Sequence, residues 1–169
     1  RALAAAGAGS LRLWPFPLAW LRALAALAGR RAWLQRLAND GRCELLEVAA
    51  PAEMDQAHAV HATIYNRALA YYFQAEFQKA ELVSPLMNQL IEAGQRITRE
   101  AYAQALAQQV VLARAMDGFA RGFDVLLTLS TAGGAPLRHV EERPDSALMW
   151  TLAQLPAVSA PVFRCPQGL

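Results

Sequence analysis

Two stretches decide how this chain is read: FDVLLTLSTAGGAP, residues 123–136, and WTLAQLPAVSAP, residues 150–161. Asp124 to Thr128 reads as a strand with a continuous apolar middle, the pattern of a strand covered on both faces. It empties into a loop of small residues, Leu129 to Pro136, where Gly133-Gly134 permits close backbone approach. Open α/β sheets hold their ligands at strand ends of this kind. Residues 137–145 are charged and read as surface loop. Ser146 to Leu152 reads as a short helix carrying Trp150, and Ala157 to Val162 as a last extended segment between Pro156 and Pro161.

Working back from this stretch, the chain is mostly helical in pattern. Thr98 is placed to cap a helix of about twenty residues, with Tyr102, Leu106, Val110, Ala113, Met116 and Phe119 as its apolar face and Gly118 and Gly122 bracketing its end. Ser84-Pro85 marks another start, Ser as N-cap and Pro at the first helical position, and Gly94 reads as the stop. Residues 74–83 form an irregular bridge. A long helix opens at Ala52, with Met54, Ala57, His58, His61, Ile64, Tyr65, Ala68 and Tyr72 as one stripe. Cys43 to Val48 is a short strand. Leu18 to Ala38 reads as helix, closed by Asn39-Asp40-Gly41 with Gly41 suited to a left-handed cap. Leu11 to Trp14 alternates as a strand does, and Pro15-Phe16-Pro17 is a rigid extended turn. Strands separated by helical stretches define an α/β layer architecture. With three or four strands, a complete sheet is not expected.

The chain has 169 residues, 55% of them hydrophobic and 18% charged, with a net charge of +2. A balance this near neutral, with its arginines dispersed, excludes an electrostatic nucleic-acid footprint. The Ala/Leu-rich residues 1–28 invite a targeting or anchor reading. Arg12, Arg22 and the two prolines break the run well short of the ~20 residues a membrane span needs. Cys43 and Cys165 lack any zinc or redox spacing and read as free thiols in a reducing, cytoplasmic setting. The chain starts at Arg1 and stops at Pro166-Gln167-Gly168-Leu169, and the expectation is a fragment of a longer protein.

No catalytic set stands out from residue chemistry. Asp55, His58 and His61 spell D-x-x-H-x-x-H, but positions i and i+6 of a helix point apart, so an exposed helix face is favoured over a metal site. Ser130 with His139 lacks the G-x-S-x-G elbow of a nucleophilic serine. Gly133-Gly134 lacks the phosphate-binding fingerprint. Tyr65, Tyr71, Tyr72 and Phe73 suit either a core or, less readily, an apolar channel.

The ordered motifs do carry a resemblance. FDVLLTLSTAGGAPL followed by WTLAQLPAVSAPVFRCPQGL resembles the C-terminal part of the amidase signature family, whose pattern there is a "DvLLtPttpgpAP" strand and loop and then "WtllGlPAvslP". Asp124, Leu126, Leu127, Thr128, Thr131, Ala135 and Pro136 match the first part. Trp150, Thr151, Pro156, Ala157, Ser159 and Pro161 match the second. CELLEVAAP and LVSPLMNQLIEAGQRITREAYAQAL are similar to the strand and the helix pair that precede it. The resemblance is strongest over 84–169 and faint before residue 41. Leu129 replaces the family's Pro, and Gln154 replaces its Gly.

The resemblance implies an α/β fold, a partial amidase-signature fold in which helices cover a fragment of a mixed central sheet, with residues 1–169 as the C-terminal part of one amidase domain. It implies a parent hydrolase that cleaves C–N amide bonds to a carboxylate and ammonia or an amine through a Ser-Ser-Lys mechanism. No Gly/Ser-rich run is present, and Lys79, the single lysine, stands outside the family context. Catalytic residues are therefore expected upstream, with none in this chain, and the 169 residues alone are expected to be inactive and poorly soluble. Thr128, Ser130 and Thr131 leave the strand end as small hydroxyl groups and are the expected substrate-binding wall. No cofactor and no metal are expected. The expected partners are a small-molecule amide substrate, the missing N-terminal part of the domain and, as an option, a second copy in a homodimer, with no nucleic acid and no membrane. Two alternatives stand beside this: the amide-transferring subunit of a tRNA-dependent amidotransferase, and a non-catalytic helical interaction module.

Overall fold

Ser84 and Thr98 start two helices through their own hydroxyls. A computed structural model describes residues 9–13, 28–40, 43–128, 130, 136–137, 140 and 147–161. In it Ser84 Oγ accepts from the Met87 amide at 3.3 Å, and Thr98 Oγ1 from the Ala101 amide at 3.1 Å. Each satisfies an amide that the first helical turn leaves without a partner.

The elements run in chain order β1 (Gly9–Leu13), α1 (Ala28–Asn39), β2 (Cys43–Glu47), α2 (Ala57–Tyr72), α3 (Gln74–Phe77), α4 (Pro85–Gln95), α5 (Arg99–Ala120), β3 (Val125–Leu127) and α6 (Ala147–Leu152). One 3₁₀ stretch, Ala52–Gln56, leads into α2, and another, Ala80–Leu82, leads toward α4. The bridge before α4 is tied down by Asn88, whose side-chain amide donates to the Ala80 carbonyl at 2.8 Å. The Pro15–Pro17 turn, residues 18–27 of the expected first helix and Gly41 lie outside the described residues.

The strands form one sheet in the order β2-β1-β3. Leu11 is the hub, paired in parallel with Leu45 on one side and Val125 on the other. Both pairings are parallel, so a mixed sheet is not what the described strands form. An antiparallel partner is absent among the described residues, and 155–161 pair with no strand.

Two apolar clusters hold the helices. The larger joins Met54, Ala57 and Val60 to Ala105, Leu112 and Met116 of α5 and to Met149, Leu152 and Ala153 around α6; Leu126 of β3 packs against it. The smaller joins Leu69 and Ala70 of α2 to Ile91 of α4. Three expectations need correction here. Gly94 does not end a helix: it lies inside α4, buried against α2, where an added Cβ would meet the Asn66 carbonyl and lie 2.9 Å from the Ala70 Cβ. The absence of a side chain serves helix–helix approach rather than termination.

The α2 stripe holds at its start, where Met54 and Ala57 are buried and Ile64 packs against them, and departs further along. Ala57, Val60, Leu69 and Ala70 are buried, whereas Tyr65 and Tyr72 face outward. Tyr71 and Tyr72 are 68% and 75% exposed, edge to face at 5.0 Å, so they are not core. Their hydroxyl tips are at home in water. In α5 the buried face is Ala105, Leu112 and Met116, while the expected core residues Leu106 and Val110 are 37% and 49% exposed.

His61 stacks on Tyr65, ring centroids 5.4 Å apart, with His58 one turn earlier. Partial burial, and secondarily the charge of His58, hold the His61 pKa below its ordinary value of 6.5. The unfolded chain thus binds a proton on this ring more readily than the folded one. Stability is expected to fall as pH drops through the ordinary value and to level off below the lowered folded value. His61→Gln should reduce the fall in the urea midpoint between about pH 8 and about pH 5. An unchanged pH profile would refute this.

Candidate functional site at the carboxyl end of the sheet

The chain steps from β1 outward to β2, then crosses back to β3 on the other side of β1. In open parallel sheets a reversal of this kind opens a crevice outside the carboxyl ends of the strands. Thr128 directly follows β3 and sits at that end.

Thr128 is half-buried and is held from above by α6. The Trp150 indole N–H donates to Thr128 Oγ1 at 3.0 Å. A threonine hydroxyl that accepts one bond keeps its own proton to donate, so Trp150 orients Thr128 without consuming its donor. Helix α6 is fixed in turn from α5, where the Gln109 side-chain amide donates to the Leu152 carbonyl at 3.0 Å.

The far end of α6 closes with a Schellman arrangement: the Gln154 amide bonds the Thr151 carbonyl at 3.1 Å and the Leu155 amide the Trp150 carbonyl at 3.0 Å. This geometry needs a left-handed residue, and Gln154 supplies it with φ of 59°. A side chain there is strained where glycine is not. Gln154 is exposed, so Gln154→Gly is expected to stabilise the chain by about 1 kcal/mol. Thermal melting reads this as a rise in Tm, and a fall would show that the glutamine contributes contacts of its own.

Of the other expected wall positions, Ser130 is exposed, and Thr131 lies outside the described residues. His139, Gly133 and Gly134 also lie outside them. His58 and His61 are not joined by a third ligand: among the described residues no group of three or more His, Cys, Asp or Glu is placed to hold a metal ion. Nor is any described helix long and apolar enough to cross a membrane. A groove of about 410 Å³ opens between α2, α3 and the end of α4, bordered by Arg67, Tyr71, Gln74 and Gln95. It shares no residue with the strand-end site and holds no nucleophile paired with a base.

The Trp150–Thr128 link is the feature residue-level reading missed. Its signal was present: a half-buried tryptophan places its N–H on an acceptor, and a strand-end threonine offers one.

No family model matches the chain, and no curated protein matches it. Among solved structures, a crystal structure of an amidase shares its fold with a TM-score of 0.66 at 22% sequence identity. The match covers 92% of this chain and 40% of that one. The chain therefore spans less than half the length of that amidase, and at this identity the likeness is one of fold. An amidase-like fold is the class these findings define.

Proposed function

We propose that this chain is the C-terminal part of an amidase-type hydrolase that cleaves C–N amide bonds to a carboxylate and ammonia or an amine. The observation that carries this is the fold shared with an amidase over 92% of the chain. A local feature supports it: where the amidase-signature pattern places glycine, the backbone at Gln154 still takes the left-handed conformation glycine favours.

In the whole enzyme an upstream serine attacks the amide carbonyl, and backbone amides stabilise the oxyanion. The neutral lysine takes the attacking serine's proton through a second serine, and the same relay delivers it to the leaving nitrogen as the C–N bond breaks. Water then releases the acyl group as the carboxylate. This chain contributes one wall. Its wall residues are Thr128, whose hydroxyl is oriented by Trp150, with Ser130 and Thr131 following it in the chain. A mixed sheet is completed by strands from the remainder of the domain.

The test is ammonia release from a panel of aliphatic, aryl and peptide amides by the full-length gene product. Hydrolysis is expected there, with loss to background when the upstream lysine is replaced by alanine, and none above blank from the 169 residues alone. A full-length product with neither an upstream lysine followed by a Gly/Ser-rich run nor amide hydrolysis would overturn the proposal.

A further inference from the structure

The groove between α2, α3 and the end of α4 is bordered by one cation and no acid. Arg67, Ala70, Tyr71 and Gln74 follow one another at three and four residues, so they share one face of α2 as it runs into α3. The helical rotation carries on across the junction. The Phe73 amide bonds the Leu69 carbonyl at 2.9 Å, and the Phe77 amide the Phe73 carbonyl at 3.0 Å. Phe77 therefore joins the same wall, and Gln95 borders the groove from the end of α4. The floor is firm, because Ala70 is buried there beside the close approach of Gly94 to Asn66. At the lip, the Tyr71 ring meets Tyr72 edge to face.

Arg67 is half-buried, and among the described residues no acid pairs with it. A guanidinium stays charged at every ordinary pH, and burying it without a counter-charge costs free energy that a bound anion offsets. Its fork matches the two oxygens of a carboxylate. Gln74 and Gln95 offer amide donors and acceptors, while Phe77 and the Tyr71 ring offer apolar surface to a carbon body. The volume of about 410 Å³ falls within the size of small-molecule sites, ~300–1,000 Å³. We propose that this groove binds a small organic carboxylate with a planar or apolar body, its carboxylate on Arg67. The site is separate from the strand-end wall and stands independently of the hydrolysis proposed above.

The experiment titrates benzoate into the full-length protein carrying fluorotyrosine in place of Tyr71, read by fluorine NMR. A saturable shift of that resonance is expected with benzoate. Benzyl alcohol, benzylamine and inorganic phosphate should bind at least roughly tenfold more weakly. Arg67→Gln should weaken benzoate by roughly tenfold or more. Arg67→Lys keeps the charge and loses the fork, so it should weaken benzoate severalfold, and it carries the comparison if Arg67→Gln does not fold. Arg99→Gln, at the exposed start of α5, should leave the titration unchanged. No saturable shift, equal affinity for benzyl alcohol, benzylamine or phosphate, or a benzoate affinity that survives the Arg67 substitutions would each overturn the proposal.

Discussion

Gly94→Ala is expected to lower the stability of this chain by about 3 kcal/mol or more, the upper end of the usual cost of overfilling a packed interior. The new methyl group would overlap the Asn66 backbone carbonyl of α2 and press on the Ala70 Cβ at 2.9 Å. A carbonyl within a helix cannot rotate aside as a long side chain does. Helices α2 and α4 must separate, which opens the cluster of Leu69, Ala70 and Ile91. Alanine's better helix propensity, worth about 1 kcal/mol over glycine, does not offset this. The same substitution at Gly118 meets nothing within 4 Å. Gly118→Ala should therefore stabilise α5 by up to about 1 kcal/mol. Urea midpoints moving in opposite directions for the two variants are the expected result. A destabilisation of similar size in both would show that the close crossing at Gly94 is not what sets its cost.

The second large effect is Leu112→Ala, expected to cost about 4 kcal/mol. Leu112 is 0% exposed and sits between Met116 of its own helix and the residues of α2 and α6 in the main cluster. Truncation removes buried methyl groups and leaves a cavity that three helices cannot collapse around. Against a total of about 5–15 kcal/mol for an ordinary domain, such a loss brings the chain close to unfolding. Val111, one position earlier, is 49% exposed. Val111→Ala should change stability by less than about 0.5 kcal/mol in the 169-residue chain. Equal costs at the two positions would contradict the orientation of α5.

That contrast marks where sequence reading succeeds and where it stops. Ser84, Thr98 and Pro85 declare helix starts because a cap is a contact within one turn. The strands at Cys43–Glu47 and Val125–Leu127 were legible from short apolar runs bounded by breakers. The face of α5 was not, because Leu106, Val110, Val111, Leu112 and Met116 offer apolar groups on several sides, and the choice among them is made by α2 and α6. Gly94 was misread because glycine carries one symbol for two uses, ending a helix and letting another backbone approach. At the site, Thr128 was visible as a strand-end hydroxyl. Its engagement by Trp150 depends on where α6 docks, which Gln109 settles from a distant helix.

The central place of β1 has a consequence for how the molecule is made. Leu11 pairs with Leu45 and with Val125, so β1 must wait for β3, the most distant in sequence of the described strands. At ordinary rates of translation the interval is on the order of ten seconds. Throughout it one edge of β1 lacks its β3 neighbour, while α2 and α4 are joined by contacts nearer in the chain. Long-range parallel pairing of this kind is slow to form and aggregation-exposed while it waits.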